Sequence, residues 1–177
     1  MRRRGESGYP AEALRTHNCS IWCISERLAM QFTEAFERLG YSIGAQRQDW
    51  SAQNERGVCI SLWRKEMGVR DGLLWMDTRV HAGPFDGWKD KPGNHKRIRH
   101  LRRALDQFGG LADVVIVSGE PGVSYGTAQP WLAEGARSGT RWRISNLDEN
   151  TGHFEVRLEK QEQPCSASKP PAAPQRA

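Results

Sequence analysis

A run of cationic side chains between residues 87 and 105 is the strongest chemical signal in the sequence. This stretch has a net charge of +6, because Asp90 alone opposes its cations, whereas the whole chain carries +5. Arginine makes bidentate contacts with phosphate oxygens and lysine supplies a point charge, so a concentrated cationic patch is typical of a polyanion-binding surface. The cations are Lys89, Lys91, Lys96, Arg97, Arg99, Arg102 and Arg103.

A helix is predicted to carry these cations. Asn94 follows Pro92 and Gly93 as a good N-cap residue, and Gly109 and Gly110 stop the helix. Apolar residues at helical spacing would dock into the core and turn the cations outward together. The predicted apolar stripe is Ile98, Leu101, Leu105 and Phe108, and the predicted outward side holds Lys96, Arg99, His100 and Arg103.

Tryptophan is the second signal, with seven in 177 residues. Trp63, Trp75 and Trp142 lie in predicted strands and are expected in the core. Trp88 and Trp131 lie in predicted loops, where an aromatic ring near cations can stack on a nucleic-acid base. Core packing is the alternative for both loop residues.

Asp77, Arg79 and His81 occupy alternate positions of a predicted strand and would project from one face. Asp77 and Arg79 are predicted to lend base or shape preference to a bound nucleic acid. A metal-dependent nuclease would need carboxylates gathered around an ion. No Asp is followed by a Glu-x-Lys triplet at nuclease-like spacing, and a His/Asn/His metal finger is also absent, so we expect no catalytic residue, metal or cofactor. The carboxylates that a nuclease would draw on are Asp77, Asp86, Asp113 and Glu120.

Hydrophobic periodicity predicts an α+β fold with a mostly antiparallel, strongly bent sheet or small barrel and two packed helices. The other helix is predicted over residues 28–39. In the strand at 58–63, Val58, Ile60 and Leu62 should share one face and Cys59 and Trp63 the other. The expected strands are 41–51, 58–63, 73–80, 113–118, 141–147 and 153–159, and residues 119–139 are expected to form one long loop.

A single domain is expected over residues 28–160. Residues 1–27 are expected to be a disordered leader, or an extension upstream of a true start at Met30, and residues 161–177 a disordered, proline-rich tail. No apolar run reaches the roughly 18 residues that a membrane span needs. The expected location is the cytoplasm, without a membrane partner.

Two segments resemble known proteins in style. Trp50 and Ser51, followed by Gly57–Trp63 and a charged triplet, are similar to a pattern in small bacterial proteins of unassigned function. The hairpin from Trp142 to Leu158 resembles the edge hairpins of PUA-like domains, which read modified or flipped bases. This resemblance implies a base-binding pocket near Trp50, Trp63 and Asp77, with the basic helix on the nucleic-acid backbone.

The sequence therefore predicts a non-catalytic domain that binds DNA or RNA. About four phosphate contacts would give a log–log salt slope of about −3 to −4. The alternatives are a small metal-dependent enzyme acting on nucleic acid or a nucleotide, with Asp77, His81 and Asp113, and a protein-interaction module for an acidic partner. The predicted binding residues are Trp88, Lys96, Arg99, Arg102, Arg103, Trp131, Asp77 and Arg79.

Overall fold

A computed structural model describes residues 30–45, 48–121 and 123–161 of the chain. The expected leader and nearly all of the expected tail lie outside these residues. The described part holds two helices and eight strands. The helices are α1 (Phe32–Arg38) and α2 (Pro92–Phe108), and the strands are β1 (Ser51–Asn54), β2 (Gly57–Trp63), β3 (Gly68–Arg70), β4 (Leu73–Asp77), β5 (Leu111–Glu120), β6 (Ser124–Pro130), β7 (Thr140–Leu147) and β8 (Phe154–Lys160).

The eight strands form one sheet in the order β1-β2-β5-β7-β8-β4-β3, with β6 paired to β5 beside this path. Only β2 and β5 run parallel, and the other pairs are antiparallel. The predicted α+β class and mostly antiparallel sheet are confirmed. Within the described residues β1 and β3 end the sheet without pairing to each other, so the sheet is open and no barrel forms.

The sheet forks along β5. Residues Val115–Glu120 of β5 pair with β6, whereas Leu111 and Ala112 pair with β7 on the same side. Trp131 lies just after β6 and donates its backbone N–H to the carbonyl of Val114 at 2.8 Å. This hydrogen bond lies at the end of the pairing between β5 and β6. The strands β6 and β7 therefore diverge at Asp113 and Val114.

Each face of the sheet carries one helix. Val58, Ile60 and Leu62 pack with Leu101 of α2, while Cys59 and the partly buried Trp63 pack with Phe32 and Phe36 of α1. This alternation is the one predicted for the strand, and Cys59 is buried as expected. Burial of both faces explains why β5 reads as a continuous apolar run.

Several element boundaries differ from the sequence predictions. The predicted strand 73–80 ends at Asp77, and the predicted strand 41–51 is extended only at its last residue, where β1 begins. Two strands were not predicted: the short edge strand β3, and β6, which lies inside the predicted loop 119–139. The β7–β8 hairpin is confirmed, including a register shift between Ile144 and Asn146. No helix in the described part of the chain is long and apolar enough to cross a membrane.

The basic helix is also placed differently. It starts at Pro92, with Lys91 in the N-cap position, so the prediction of Asn94 as N-cap was wrong. The buried side centres on Arg97, Leu101 and Ala104, while Ile98, Leu105 and Phe108 are only partly buried. At 100° per residue this is a rotation of roughly 50° from the predicted stripe. The rotation brings Arg97 and His100 inward.

Candidate nucleic-acid interface

Many of the cations in the basic stretch have acidic partners. Lys96 Nζ lies 2.8 Å from Asp49 Oδ2, and Arg102 contacts Glu149 at 2.7 Å and Asp106 at 3.6 Å. Lys89 pairs with Asp86 at 2.6 Å. Residues 96–105 contain no acidic side chain, and the balancing carboxylates come from the segment before β1, from the loop before α2, from Asp106 near the end of α2 and from the β7–β8 turn.

Arg99 and Arg103 are the α2 arginines that keep their charge available. Arg99 is exposed and bonds only its own helix, through the carbonyl of His95 at 3.4 Å. Arg103 donates from Nε to Gln107 at 2.9 Å and lies 5.4 Å from the ring centre of Phe108. Neither has a carboxylate within ion-pair distance among the described residues. The positions i and i+4 put them on one side of the helix.

Arg97 is the opposite case, because it is 8% exposed and lies among aromatic rings. Its guanidinium carbon is 5.0 Å from the ring centre of Trp50, 5.3 Å from Trp88 and 4.9 Å from Phe154. Burial lowers the pKa of Arg97 to about 10, against a smaller opposing effect of the nearby Glu66. The cation stays charged at neutral pH and is stabilised by the faces of the rings. It is part of the core and not of a phosphate surface.

Asn94 holds Arg97 in this place. Asn94 Oδ1 accepts from Arg97 Nη2 at 2.9 Å, and Asn94 Nδ2 donates to the carbonyls of Lys89 at 3.0 Å and Thr151 at 3.1 Å. Asn94 is 1% exposed. One side chain therefore ties α2 to the loop before it and to the β7–β8 turn.

His100 was predicted on the outward side and is instead buried. Its Nδ1 is 2.8 Å from Ser51 Oγ, and both side chains are shielded from solvent. Burial lowers the pKa of His100 to about 4, and the neighbouring Lys96 acts in the same direction. His100 is therefore neutral at neutral pH and adds no positive charge to the surface.

The two loop tryptophans are not free stacking platforms. Trp88 is half-buried, donates to the carbonyl of Gly83 at 3.1 Å and meets Phe85 and His153 edge to face. Trp131 lies in the loop just after β6 and is 6% exposed, so the alternative of core packing describes it. Its ring packs against Trp142 at 5.3 Å between centres, and Arg137 lies 4.2 Å from the ring centre.

The Asp77–His81 segment bends back on itself and does not continue the strand. Asp77 Oδ1 accepts from the Arg79 backbone N–H at 2.8 Å, and the His81 ring lies against the Asp77 backbone. Arg79 reaches Asp148 at 3.4 Å in the β7–β8 turn. Their predicted contribution to base preference stays a prediction.

The acidic residues considered for a nuclease do not come together. Asp86 pairs with Lys89, Glu120 pairs with Lys65, and Asp113 bonds Tyr41. No group of three or more His, Cys, Asp or Glu side chains in the described residues is arranged to hold a metal ion. The pocket that the PUA-like resemblance implies is not assembled either, because Trp50 and Trp63 pack on opposite sides of the sheet.

A pocket of about 450 Å³ lies at the fork of the sheet instead. This volume falls within the roughly 300–1,000 Å³ range of small-ligand sites. Trp131 and Trp142 form an aromatic wall, and Phe108 at the end of α2 lines the side nearest the helix. The polar lining consists of Tyr41, Arg56, Asp113, Thr140 and Arg141.

Tyr41 and Asp113 form the polar centre of this pocket. The Tyr41 hydroxyl donates to Asp113 Oδ2 at 2.7 Å. Burial and this hydrogen bond raise the pKa of Tyr41 well above its usual range, so the phenol stays protonated. Asp113 itself is exposed. The pair offers a carboxylate whose orientation is fixed by a permanent donor.

Two arginines border the pocket without a carboxylate within ion-pair distance in the described ranges. Arg56 packs over Gly40, where a side chain would overlap its guanidinium, and its charge acts on Tyr41. Arg141 is exposed at the start of β7. Arg103 contacts Phe108, and Phe108 lines the same pocket as Arg56 and Arg141. The two α2 arginines and the two pocket arginines are together called here the arginine path: Arg99, Arg103, Arg56 and Arg141.

Comparisons with protein-family models, with curated proteins and with solved structures each found no match to this chain. Function is therefore inferred from the residues of the site itself. The sequence analysis proposed Arg99 and Arg103 as binding residues, and this stays a prediction. It did not consider Arg56 and Arg141, which lie in a turn and a strand far from the basic stretch in the sequence. No local pattern marks them, because only the fold brings them to the pocket that Phe108 of α2 also lines.

Proposed function

We propose that this domain binds a nucleic acid through its phosphates and has no catalytic activity of its own. The observation that carries the proposal is the arginine path, four arginines without acidic partners among the described residues, running beside an aromatic-walled pocket. Lys91, also exposed and without an acidic partner in that part of the chain, lies at the other end of α2.

The spacing of the arginines in the arginine path fits a chain of several phosphates better than one isolated anion. Arg99 and Arg103 lie one helical turn apart, about 6 Å along α2, which is close to the spacing of successive phosphates on a nucleic-acid strand. Arginine is suited to phosphate because its planar donors match two oxygens at once. A strand that follows the arginine path would lead to the pocket, where Asp113 and Arg141 are exposed.

Lys96 and Arg102, predicted as phosphate contacts, contribute less in this proposal. Their charges are already opposed by Asp49 and by Glu149 with Asp106, so a phosphate would have to compete with those carboxylates. The ion pair of Lys96 with Asp49 instead anchors α2 to the segment before β1. Trp88 belongs to the aromatic group around Arg97.

The test is fluorescence anisotropy with labelled single-stranded DNA, duplex DNA, single-stranded RNA and hairpin RNA, using the full chain at several salt concentrations. Saturable binding with a log–log slope of about −3 supports four phosphate contacts. A poly-glutamate of equal charge serves as the comparison polyanion. Equal affinity for poly-glutamate would overturn the nucleic-acid proposal in favour of an acidic protein partner, and no binding at low salt would overturn both.

A further inference from the structure

We infer that the pocket at the fork of the sheet binds a single guanine base, and this inference rests on the proposed function. The pocket would take one nucleotide of the bound strand while the arginine path holds its neighbours. The Tyr41–Asp113 pair and the arginines beside it carry this inference.

Asp113 sets the chemistry of the base. Its carboxylate is exposed to the pocket mouth and, with Oδ2 accepting from Tyr41, still has acceptor capacity on both oxygens. A carboxylate accepts only, so it selects a ligand edge that donates. Guanine presents two adjacent donors on one edge, N1–H and the N2 amino group, which match the two carboxylate oxygens. On the corresponding edge each of the other bases presents at most one donor group, either a ring N–H or an amino group.

Tyr41 fixes this preference. Its hydroxyl holds one carboxylate oxygen at 2.7 Å, and Asp113 is paired in register with Cys59 in the sheet, which fixes the backbone. The carboxylate therefore has few orientations to lose when a base binds, and a preorganised acceptor binds more tightly than a mobile one.

Aromatic side chains close one wall of the pocket. Trp131 and Trp142 pack at 79° to each other, and Trp131 Nε1 donates to Thr140 Oγ1 at 3.2 Å. Trp142 Nε1 is enclosed, so it lies out of reach of a ligand in the pocket. The preference for guanine therefore comes from the Asp113 carboxylate.

Arg56 and Arg141 are the residues that would bind the phosphate of the nucleotide. Arg56 is held near Tyr41, so its guanidinium lies on the same side as the Asp113 carboxylate. A base with no phosphate would meet only the carboxylate and the wall. The pocket should therefore prefer a guanine nucleotide to the free base.

The test titrates the full chain with 5′-GMP, AMP, CMP and UMP by isothermal calorimetry, followed by tryptophan fluorescence. We expect saturable GMP binding at least about 10-fold tighter than the other three. Asp113→Asn should lose at least about 10-fold of the GMP affinity, because the amide replaces an acceptor by a donor. The matched control Asp71→Asn, in an exposed turn, should bind GMP like the wild type.

Thermal melts of both variants check the fold, and Tyr41→Phe gives a second route if Asp113→Asn unfolds. Tyr41→Phe keeps the Asp113 carboxylate but removes the hydroxyl that orients it. The affinity for GMP should therefore fall, and the ratio of GMP affinity to UMP affinity should become smaller. Equal binding of all four nucleotides, or an Asp113→Asn variant with unchanged GMP affinity, would overturn the inference.

The oligonucleotide assay separates this inference from the function it rests on. A uridine strand with one guanosine should bind more tightly than an all-uridine strand, and Asp113→Asn should remove the difference. Strands that bind equally, with no GMP binding, would overturn the guanine site and leave the nucleic-acid proposal intact. GMP binding without any strand binding would overturn the nucleic-acid proposal and keep the pocket as a nucleotide site.

Discussion

Replacing Asn94 by Ala should destabilise the domain more than most single substitutions, because one buried amide joins three parts of the chain. The variant loses two hydrogen bonds to the carbonyls of Lys89 and Thr151 and the acceptor of Arg97 Nη2. Each neutral bond is worth about 1 kcal/mol, and a bond to a charged group about 1.5–3 kcal/mol. We expect a loss of about 3–5 kcal/mol of unfolding free energy, a large share of the roughly 5–15 kcal/mol typical of a domain.

Urea denaturation followed by far-UV circular dichroism measures this loss, and a thermal melt should show a decrease in Tm of roughly 10 °C. Arg97→Met separates the two contributions, since methionine keeps the apolar stem among the rings and removes the charge. In the Arg97→Met background, Asn94→Ala should cost about 1–3 kcal/mol less than in the wild type, because only the carbonyl bonds remain to be lost.

Asn94→Asp is the matched variant. It keeps the oxygen that accepts from Arg97 but removes both donors. Its unfolding free energy should therefore lie between that of the wild type and that of Asn94→Ala. A loss below about 1 kcal/mol for Asn94→Ala, or the same loss with and without Arg97, would refute the assignment of Asn94 as the joint between α2, its preceding loop and the β7–β8 turn.

Three further predictions follow from the same contacts. The pKa of His100 is about 4 in the folded chain and near 6.5 in the unfolded chain, so between these pH values only the unfolded chain takes up the proton. The free energy of unfolding should therefore fall by up to about 3 kcal/mol from pH 6.5 to pH 4. Urea melts of His100→Gln should show a weaker pH dependence of this free energy, and the same pH dependence as the wild type would contradict the burial of the His100 ring. Gly152→Ala should cost more than Gly72→Ala in thermal melts, since both glycines have a positive φ but only the methyl at 152 overlaps Asn94; equal losses would contradict this. Glu149→Gln frees Arg102 from its 2.7 Å partner and should tighten strand binding with a steeper salt slope in the anisotropy assay, and weaker binding would contradict the competition proposed for Arg102.

Local patterns predicted most of the secondary structure correctly. The alternation in β2 and the β7–β8 hairpin are each decided by nearby residues, and both are confirmed. The strand β6 was missed because its glycine and polar residues resemble a loop, and it is extended only because it pairs with β5. A strand of this kind forms only because it pairs with a segment distant in the sequence. The residues next to it in the sequence do not reveal that partner.

The rotation of α2 was missed for a related reason. An arginine and a histidine count as outward residues in a hydrophobic pattern, yet Arg97 is compensated by three aromatic rings and His100 by Ser51. These partners come from the segment before β1, from β1 and β8, and from the loop before α2, so no spacing within α2 reveals them. The same holds for Asp49 and Glu149, whose carboxylates reduce the charge that the helix alone would present.

The central claim is tested most directly by the salt dependence of strand binding in Arg99→Ala/Arg103→Ala, set against a control double variant. Arg38→Ala/Lys65→Ala removes the same charge from exposed positions away from α2. The wild type and the control should show a log–log slope of about −3, and Arg99→Ala/Arg103→Ala should lose roughly half of it, since each phosphate contact contributes just under one unit. Equal slopes for the two double variants would contradict the claim that the arginine path binds the nucleic acid.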